Sequence, residues 1–403
     1  MGLALREPGT GALRAVRGRP GRPVSIYVCG PTVYDDAHVG HARTYLVFDV
    51  ARRQLEAQGR AVRHVMNITD FEDKVADRAV ALGTRWDLLA RRIERRFRAD
   101  LDRLAILPAH RYPRASDHVP AMRTAVRALD RAHRLDPRDP LPVYRPGRPG
   151  SRGASAPSEA SRHMVAEAGR STPVGLDLGE FSLWLPPHPG GPGWPSPWGA
   201  GTPGWHLECY VMARRYLGLP VDLHGGGRDL AFPHHYAESE LAGALDHCPF
   251  SRQYLYVEFV TQNGVKMAKS TGNLVSVRSA IAQASAPALR WYLLSVPYER
   301  PLEWDPRGLA MAERTLRSVR ASLRGILRTV AGGTLQLGAL LRLRDAVARD
   351  LARNLGTERA LARIARFAEQ VDAAPRGSFP RGSRPAVEGA LRDVEQRIGI
   401  RLR

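Results

Sequence analysis

The sequence predicts an α/β fold: a Rossmann-type, doubly wound parallel-sheet catalytic domain with an insertion, followed by an all-α helical bundle. Three observations predict it. Short apolar runs alternate with amphipathic helical stretches on both sides of the middle of the chain. A tract rich in Pro, Gly, Ser and Arg at 137–173 separates those halves. Beyond Leu309 the apolar residues recur at helical spacings of three and four.

Residues 24–28 (VSIYV), bounded upstream by Gly and Pro, read as a buried strand. Cys29-Gly30-Pro31 ends it, and a loop of small and polar residues carries His38 and His41 around Val39-Gly40. From His41, apolar residues at Ala42, Tyr45, Leu46 and Val50 mark an amphipathic helix ending near Gly59. A second strand is expected over 62–66, followed by the acidic turn Phe71-Glu72-Asp73-Lys74. Strand, helix and strand within about 45 residues make a βαβ unit with parallel strands. Helices are expected over 86–104 and 119–135, and 137–173 reads as a poorly packed insertion or flexible connector. Order returns at 181–184, and a Gly, Pro and Trp loop (190–205) leads into a helix over 206–217. A strand at 221–224, ended by Gly225-Gly226-Gly227, a helix over 233–245 and a strand over 254–260 follow. Stripes through Leu309, Leu316 and Leu323, then Leu340 and Leu351, Leu361 and Ile364, and Val387 and Ile398 describe a bundle with Arg-rich outer faces.

At 403 residues the chain is long enough for two or three domains with a large core. No apolar run approaches the ~18 residues that span a bilayer, and residues 1–23 contain no apolar stretch of a secretory signal. Cys29, Cys209 and Cys248 are odd in number and far apart, which argues against a disulfide scaffold and for a reducing compartment. A soluble, cytoplasmic protein with no membrane partner is expected. The formal charge of +20 suits a polyanion such as RNA, but only three of the 60 Lys and Arg residues are lysines. A general preference for Arg on solvated helix faces accounts for the charge equally well. The scarcity singles out Lys74, Lys266 and Lys269, because a guanidinium does not everywhere replace a compact ammonium on a flexible stem.

Two constellations point to chemistry. The strand, turn and helix at 24–50 put free N–H groups and a positive dipole end beside His38 and His41, an arrangement that binds phosphate. Taken alone, satisfied loop histidines are the commoner reading. The second set is Cys29, Cys209, His234 and Glu238. A His and a Glu four apart share one helix face, and two thiolates complete a tetrahedral site suited to zinc. Its members lie up to 209 positions apart, and lone buried cysteines and an ordinary surface pair at His234-His235 are common without a metal.

These residues closely resemble the cysteinyl-tRNA synthetases among the class I aminoacyl-tRNA synthetases. The likeness rests on CGPTVYDDAHVGHAR (29–43), NITDFEDK (67–74), WPSPWGAGTPGWHLEC (194–209), LHGGGRDLAFPHH (223–235) and KMAKSTGN (266–273), with YERPLEW (298–304) extending it. The resemblance implies that His38-Val39-Gly40-His41 is the HIGH signature and Lys266-Met267-Ala268-Lys269-Ser270 the KMSKS signature. His38, His41, Lys266 and Lys269 are then the catalytic residues. Gly40, His41, Gly226, Gly227, Asp229, Lys266, Met267, Lys269 and Ser270 bind ATP, with Mg2+. It implies a zinc ion on Cys29, Cys209, His234 and Glu238, and a cysteine pocket including Thr69, Trp205, His206 and His224. The expected reaction is ATP-dependent formation of cysteinyl-adenylate and transfer to the acceptor end of tRNA-Cys by a monomer.

The implied partition is 1–110, first catalytic half; 111–180, insertion; 181–275, second half with zinc and KMSKS-like loop; 276–308, stem-contact junction; and 309–403, bundle. The sequence departs from the family in four places. Residues 137–173 lack the insertion's strand pattern, Leu185 stands for a Lys, and Tyr256-Val257-Glu258 replaces a His-containing strand. The family's C-terminal anticodon-binding domain is expected to be absent. That shortened plan resembles the mycothiol-pathway cysteine ligase, so a paralogue delivering cysteine to a small amine such as an amino sugar–inositol is the alternative. A non-catalytic RNA-binding or regulatory homologue is the third reading.

Overall fold

The computed structural model describes residues 2–135, 140–145, 180–267, 271–328, 334–373 and 384–403. Its centre is a four-stranded, fully parallel sheet. Strands β1 (Val24–Val28), β2 (Val62–Met66), β3 (Leu223–Gly227) and β4 (Tyr254–Val257) lie in the order β4-β3-β1-β2. All five residues of β1 are buried, as a central strand covered on both faces requires. It pairs Ile26 with His64 on one side and with Leu223 on the other. Helix α1 (Val39–Glu56) carries the chain from β1 to β2. The return to β3 on the opposite side of β1 makes the β1/β3 junction the switch point, where open α/β sheets bind ligands beyond their strand ends.

Strands β1 and β2 lie where the apolar runs predict. The strand expected at 221–224 instead runs through the glycines to Gly227. Gly225 is required there, because a Cβ at this position would lie 1.9 Å from the Leu255 carbonyl oxygen on β4. The strand expected over 254–260 stops at Val257. Its continuation, Val260–Gln262, joins a separate three-stranded sheet with Val265–Lys266 and Leu302–Glu303.

Where an acidic turn was expected, Asp73–Ala81 forms a helix, α2, with Val75, Ala76 and Ala79 buried on one face. Helices α3 (Trp86–Arg103), α4 (Val119–Arg131) and α5 (Trp205–Leu217) match the apolar periodicity. The helix expected from 233 is α6 (Tyr236–Asp246), preceded by an irregular turn in which Phe232 is extended. Most of the 137–173 tract lies outside the described residues. The part within them is packed rather than loose: Tyr144 is buried and stacks on Phe181 at 4.8 Å, and Val143–Tyr144 pairs with Phe181–Ser182.

Two short helices, α7 (Val277–Gln283) and α8 (Ala286–Leu294), lead into α9 (Pro306–Arg328), α10 (Thr334–Ala352), α11 (Thr357–Ala373) and α12 (Arg384–Ile398). The leucine stripes face inward and share one continuous apolar cluster with α1, through Leu46, Phe48 and Val50. A buried ion pair reinforces that contact. Arg290 of α8 binds Asp49 of α1, and its other donors reach the carbonyls of Ile398 (2.7 Å) and Leu104 (3.0 Å). Among the described residues no helix is long and apolar enough to cross a membrane.

Candidate active site

The turn after β1 builds the first part of the site. His38 is the N-cap of α1, and its Nδ1 accepts a hydrogen bond from the Gly40 N–H at 3.1 Å. Gly40 is needed for this cap, since a Cβ there would sit 2.9 Å from the His38 ring. With Nδ1 accepting, the neutral ring carries its proton on Nε2, a donor. His41 stacks on His38 with ring centroids 3.8 Å apart. Burial first, then the neighbouring His41, pushes the His38 pKa down to about 2, and burial lowers His41 to about 4. Both imidazoles are therefore neutral at physiological pH.

Lys266 ends the Val260–Lys266 hairpin. Its Nζ lies 2.7 Å from Asp229 Oδ2 and 4.0 Å from the centre of the Phe259 ring. Asp229 follows β3, so the expected ATP residues Gly226, Gly227, Asp229 and Lys266 gather at one end of the sheet. Met267 is buried, and its N–H donates to the Val260 carbonyl. Lys269 and Ser270 lie outside the described residues. Beyond them, the Val39 N–H bonds the Val275 carbonyl and the Val277 N–H bonds that of Ala37, each at 2.9 Å.

The second part is a buried ligand group. Cys29 follows β1, Cys209 stands on α5, His234 belongs to the turn before α6 and Glu238 to its first turn; one donor atom from each lies within 4.8 Å of the others. Cys29 Sγ is 3.8 Å from Cys209 Sγ and 3.7 Å from Glu238 Oε1, and His234 Nε2 is 3.2 Å from the same oxygen. Burial pushes the Cys209 thiol up, but its hydrogen bond with Cys29 and the charge of His234 overcome this and bring it to about 6. Burial lowers the His234 ring, yet the charges of Glu238 and Cys209 raise it to about 10. Two thiols, an imidazole and a carboxylate that together hold a proton against burial suit a divalent cation with an affinity for sulfur and nitrogen.

The remaining predicted residues surround this group. The Trp205 ring stacks on His234 at 4.2 Å, and His206 Nδ1 lies 3.0 Å from His234 Nδ1. Thr69 Oγ1 donates to the buried Glu208 carboxylate at 3.0 Å. His224 is fully buried behind Glu238, with Nε2 2.7 Å from Oε2 and Nδ1 3.0 Å from the Tyr27 carbonyl. His235 is not part of a surface pair: it too is fully buried, its Nε2 3.3 Å from Cys29 Sγ and its Nδ1 3.3 Å from the Tyr256 hydroxyl. It forms a second possible ligand group with Cys29, His224 and Glu238. The His234-His235 doublet was its only signal in the sequence. Tyr256, on β4 beside Gly226, stacks on His235 at 5.4 Å, which ties the strand to the ligand group.

A histidine-capped helix at the switch point of a parallel sheet, with a lysine-bearing hairpin alongside, is the architecture of a class I aminoacyl-tRNA synthetase catalytic domain. Solved structures agree on the fold. A methionyl-tRNA synthetase of Mycobacterium tuberculosis bound by methionyl-adenylate superposes with a TM-score of 0.66 at 18% identity, covering 94% of this chain and 92% of that one. A leucyl-tRNA synthetase of Agrobacterium radiobacter, in a ternary complex, gives 0.66 at 12% identity over 98% and 85%.

Residues 17–314 match the family described as tRNA synthetases class I (C), catalytic domain. A cysteine–tRNA ligase of Parvibaculum lavamentivorans is 34% identical over 94% of this chain and 79% of its own length. One of Thermococcus onnurineus is 38% identical over 80% and 68%. The chain belongs to the class I (C), or cysteine, family of tRNA synthetases.

Proposed function

We propose that the protein activates L-cysteine with ATP and passes the cysteinyl group to the acceptor end of tRNA-Cys, choosing the amino acid through a zinc ion. The observation that carries this reading is the buried Cys29, Cys209, His234 and Glu238 group under Trp205, at the end of the strand whose following turn bears His38 and His41. Zinc held by those four residues would supply a Lewis acid that favours a substrate thiolate over the hydroxyl of serine. Shape alone discriminates poorly between such near-isosteres. Trp205 and His206 border the amino acid, Thr69 steadies Glu208 beside Cys209, and His224 orients the Glu238 carboxylate.

In the first step a carboxylate oxygen of cysteine attacks the α-phosphorus of ATP, the bond to the bridging oxygen breaks, and pyrophosphate leaves with Mg2+. His38 and His41, both neutral, serve as donors to phosphate oxygens without adding charge. The Lys266 ammonium, resting between Asp229 and the Phe259 ring, supplies the positive charge, joined by Lys269 and Ser270 of the same signature. Gly40, Gly226, Gly227 and Met267 border the nucleotide. In the second step a terminal ribose hydroxyl of tRNA attacks the carbonyl carbon and AMP leaves. The protein acts as a cytoplasmic monomer.

Cysteine-dependent exchange of labelled pyrophosphate into ATP tests the first step. Exchange as fast with serine, or none with cysteine, overturns the reading. Charging of tRNA-Cys, set against cysteinyl amide formation with small amines, tests the acceptor. Activation without charging would move the acceptor to a small amine.

A further inference from the structure

The hairpin that presents Lys266 is hung from α1 by an arginine to which neither signature assigns a role. Arg43 lies two residues beyond His41, on the side of α1 turned away from it, and is fully buried. Its guanidinium is spent on four backbone carbonyls. Nη1 reaches those of Glu258 and Phe259, both at 3.0 Å, and Nη2 those of Pro297 (2.9 Å) and Arg300 (2.7 Å). The first two belong to the link between β4 and the hairpin. The second two belong to the loop before Leu302–Glu303, the strand that pairs in parallel with Val260–Thr261. One planar fork thus clamps both strands that support Lys266, which a point-charge ammonium cannot do with the same geometry. Phe259 completes the link: Arg43 holds its carbonyl, and its ring lies under the Lys266 ammonium.

We propose that Arg43 is a positioning residue for Lys266: by fixing the Glu258–Phe259 backbone it sets the ring on which the ammonium rests, and so the ammonium's place relative to the His38–His41 turn. This rests on the reading of the site as one that binds and activates ATP. Cysteine is held by a different set of residues, so loss of the clamp separates the two substrates. Misplacing a phosphate-facing charge by about 1 Å is enough for a large loss of rate.

The test uses the full chain and the variants Arg43→Lys, Phe259→Leu and the two combined. In pyrophosphate exchange each single variant is expected to raise KM for ATP at least ~10-fold, with KM for cysteine within about twofold of wild type. The double variant is expected to be no worse than the poorer single, because both act on one link. Calorimetric titration with ATP alone should show the same weakening. Equal changes in both KM values, multiplying effects in the double variant, or an Arg43→Lys protein that keeps wild-type ATP affinity would overturn the proposal. Wild-type protein that binds ATP but shows no exchange would refute the activation reading instead, and the ATP affinities would still decide the role of Arg43. Phe259→Leu leaves the buried guanidinium untouched, so it remains informative if the arginine variant does not fold.

Discussion

Buried neutral histidines should cost this protein stability as the pH falls below about 6.5, and His64 allows that loss to be isolated. His64 lies in β2, is 3% exposed, and has no hydrogen-bond partner for either ring nitrogen among the described residues. Burial first, and the Arg52 guanidinium second, push its pKa down to about 3. His38, at about 2, and His41, at about 4, are lowered in the same sense. In the unfolded chain each titrates near 6.5. The folded pKa is the lower one, so below about pH 6.5 the unfolded state binds more protons and stability falls with pH. The loss continues until the folded values are reached. Between pH 8 and pH 5.5 each such histidine costs about 1.4 kcal/mol, and the three together about 4 kcal/mol.

His64→Leu replaces the ring with an apolar side chain of similar size and keeps the backbone N–H bond to His110 Nδ1 at 3.0 Å. Guanidinium unfolding followed by tryptophan fluorescence at pH 8.0, 6.5 and 5.5 reads the result. The variant should match or exceed wild-type stability at pH 8.0 and lose about 1.4 kcal/mol less on going to pH 5.5. A wild-type pH slope in the variant would refute the reasoning.

Asp49 binds Arg290, Arg53 (2.7 Å) and the Leu107 N–H (2.8 Å). Burial pushes its carboxyl up, but Arg290 and then Arg53 hold it below the usual carboxylate range, so its contribution is present above about pH 3.9 and lost only below it. Asp49→Asn leaves two guanidinium groups facing no charge and should cost about 3–5 kcal/mol in denaturant unfolding; a loss below 1 kcal/mol contradicts the pairing. Cys209→Ser removes one of the two thiols of the proposed zinc site and should reduce bound zinc, measured by mass spectrometry of the purified protein, from ~1 per chain to a small fraction; unchanged zinc, or none in the wild type, would overturn that site. Asn354, in a left-handed conformation (φ 57°), accepts from the Arg6 N–H at 2.8 Å and the Tyr298 hydroxyl at 2.7 Å, and donates to Glu299. Asn354→Ala should lower stability by about 2–3 kcal/mol and quicken proteolysis of residues 2–15; a melting temperature and cleavage rate equal to wild type would count against that tie.

The sequence by itself determined the two βαβ-like halves, the bundle and the family. Buried parallel strands must be continuous apolar runs, packed helices must repeat every three to four residues, and the signatures are local strings whose backbone demands, such as glycine at 40, are met within a few residues. Local pattern was weaker where a partner from far along the chain decides the outcome. Gly225 lies within a strand because the Leu255 carbonyl approaches it, and β4 breaks at Val257 as its continuation pairs with Leu302–Glu303.

The same limit holds in the site. His38 and His41 were visible from their turn, and His234 and Glu238 from their spacing. Only the tertiary structure brought Cys29 and Cys209 to 3.8 Å, buried His235 against Cys29, and directed the Arg43 guanidinium to four carbonyls up to 257 positions away. Those contacts are made by side chains and backbone groups that share no periodicity, so the packing of the sheet, not the string of residues, decides them.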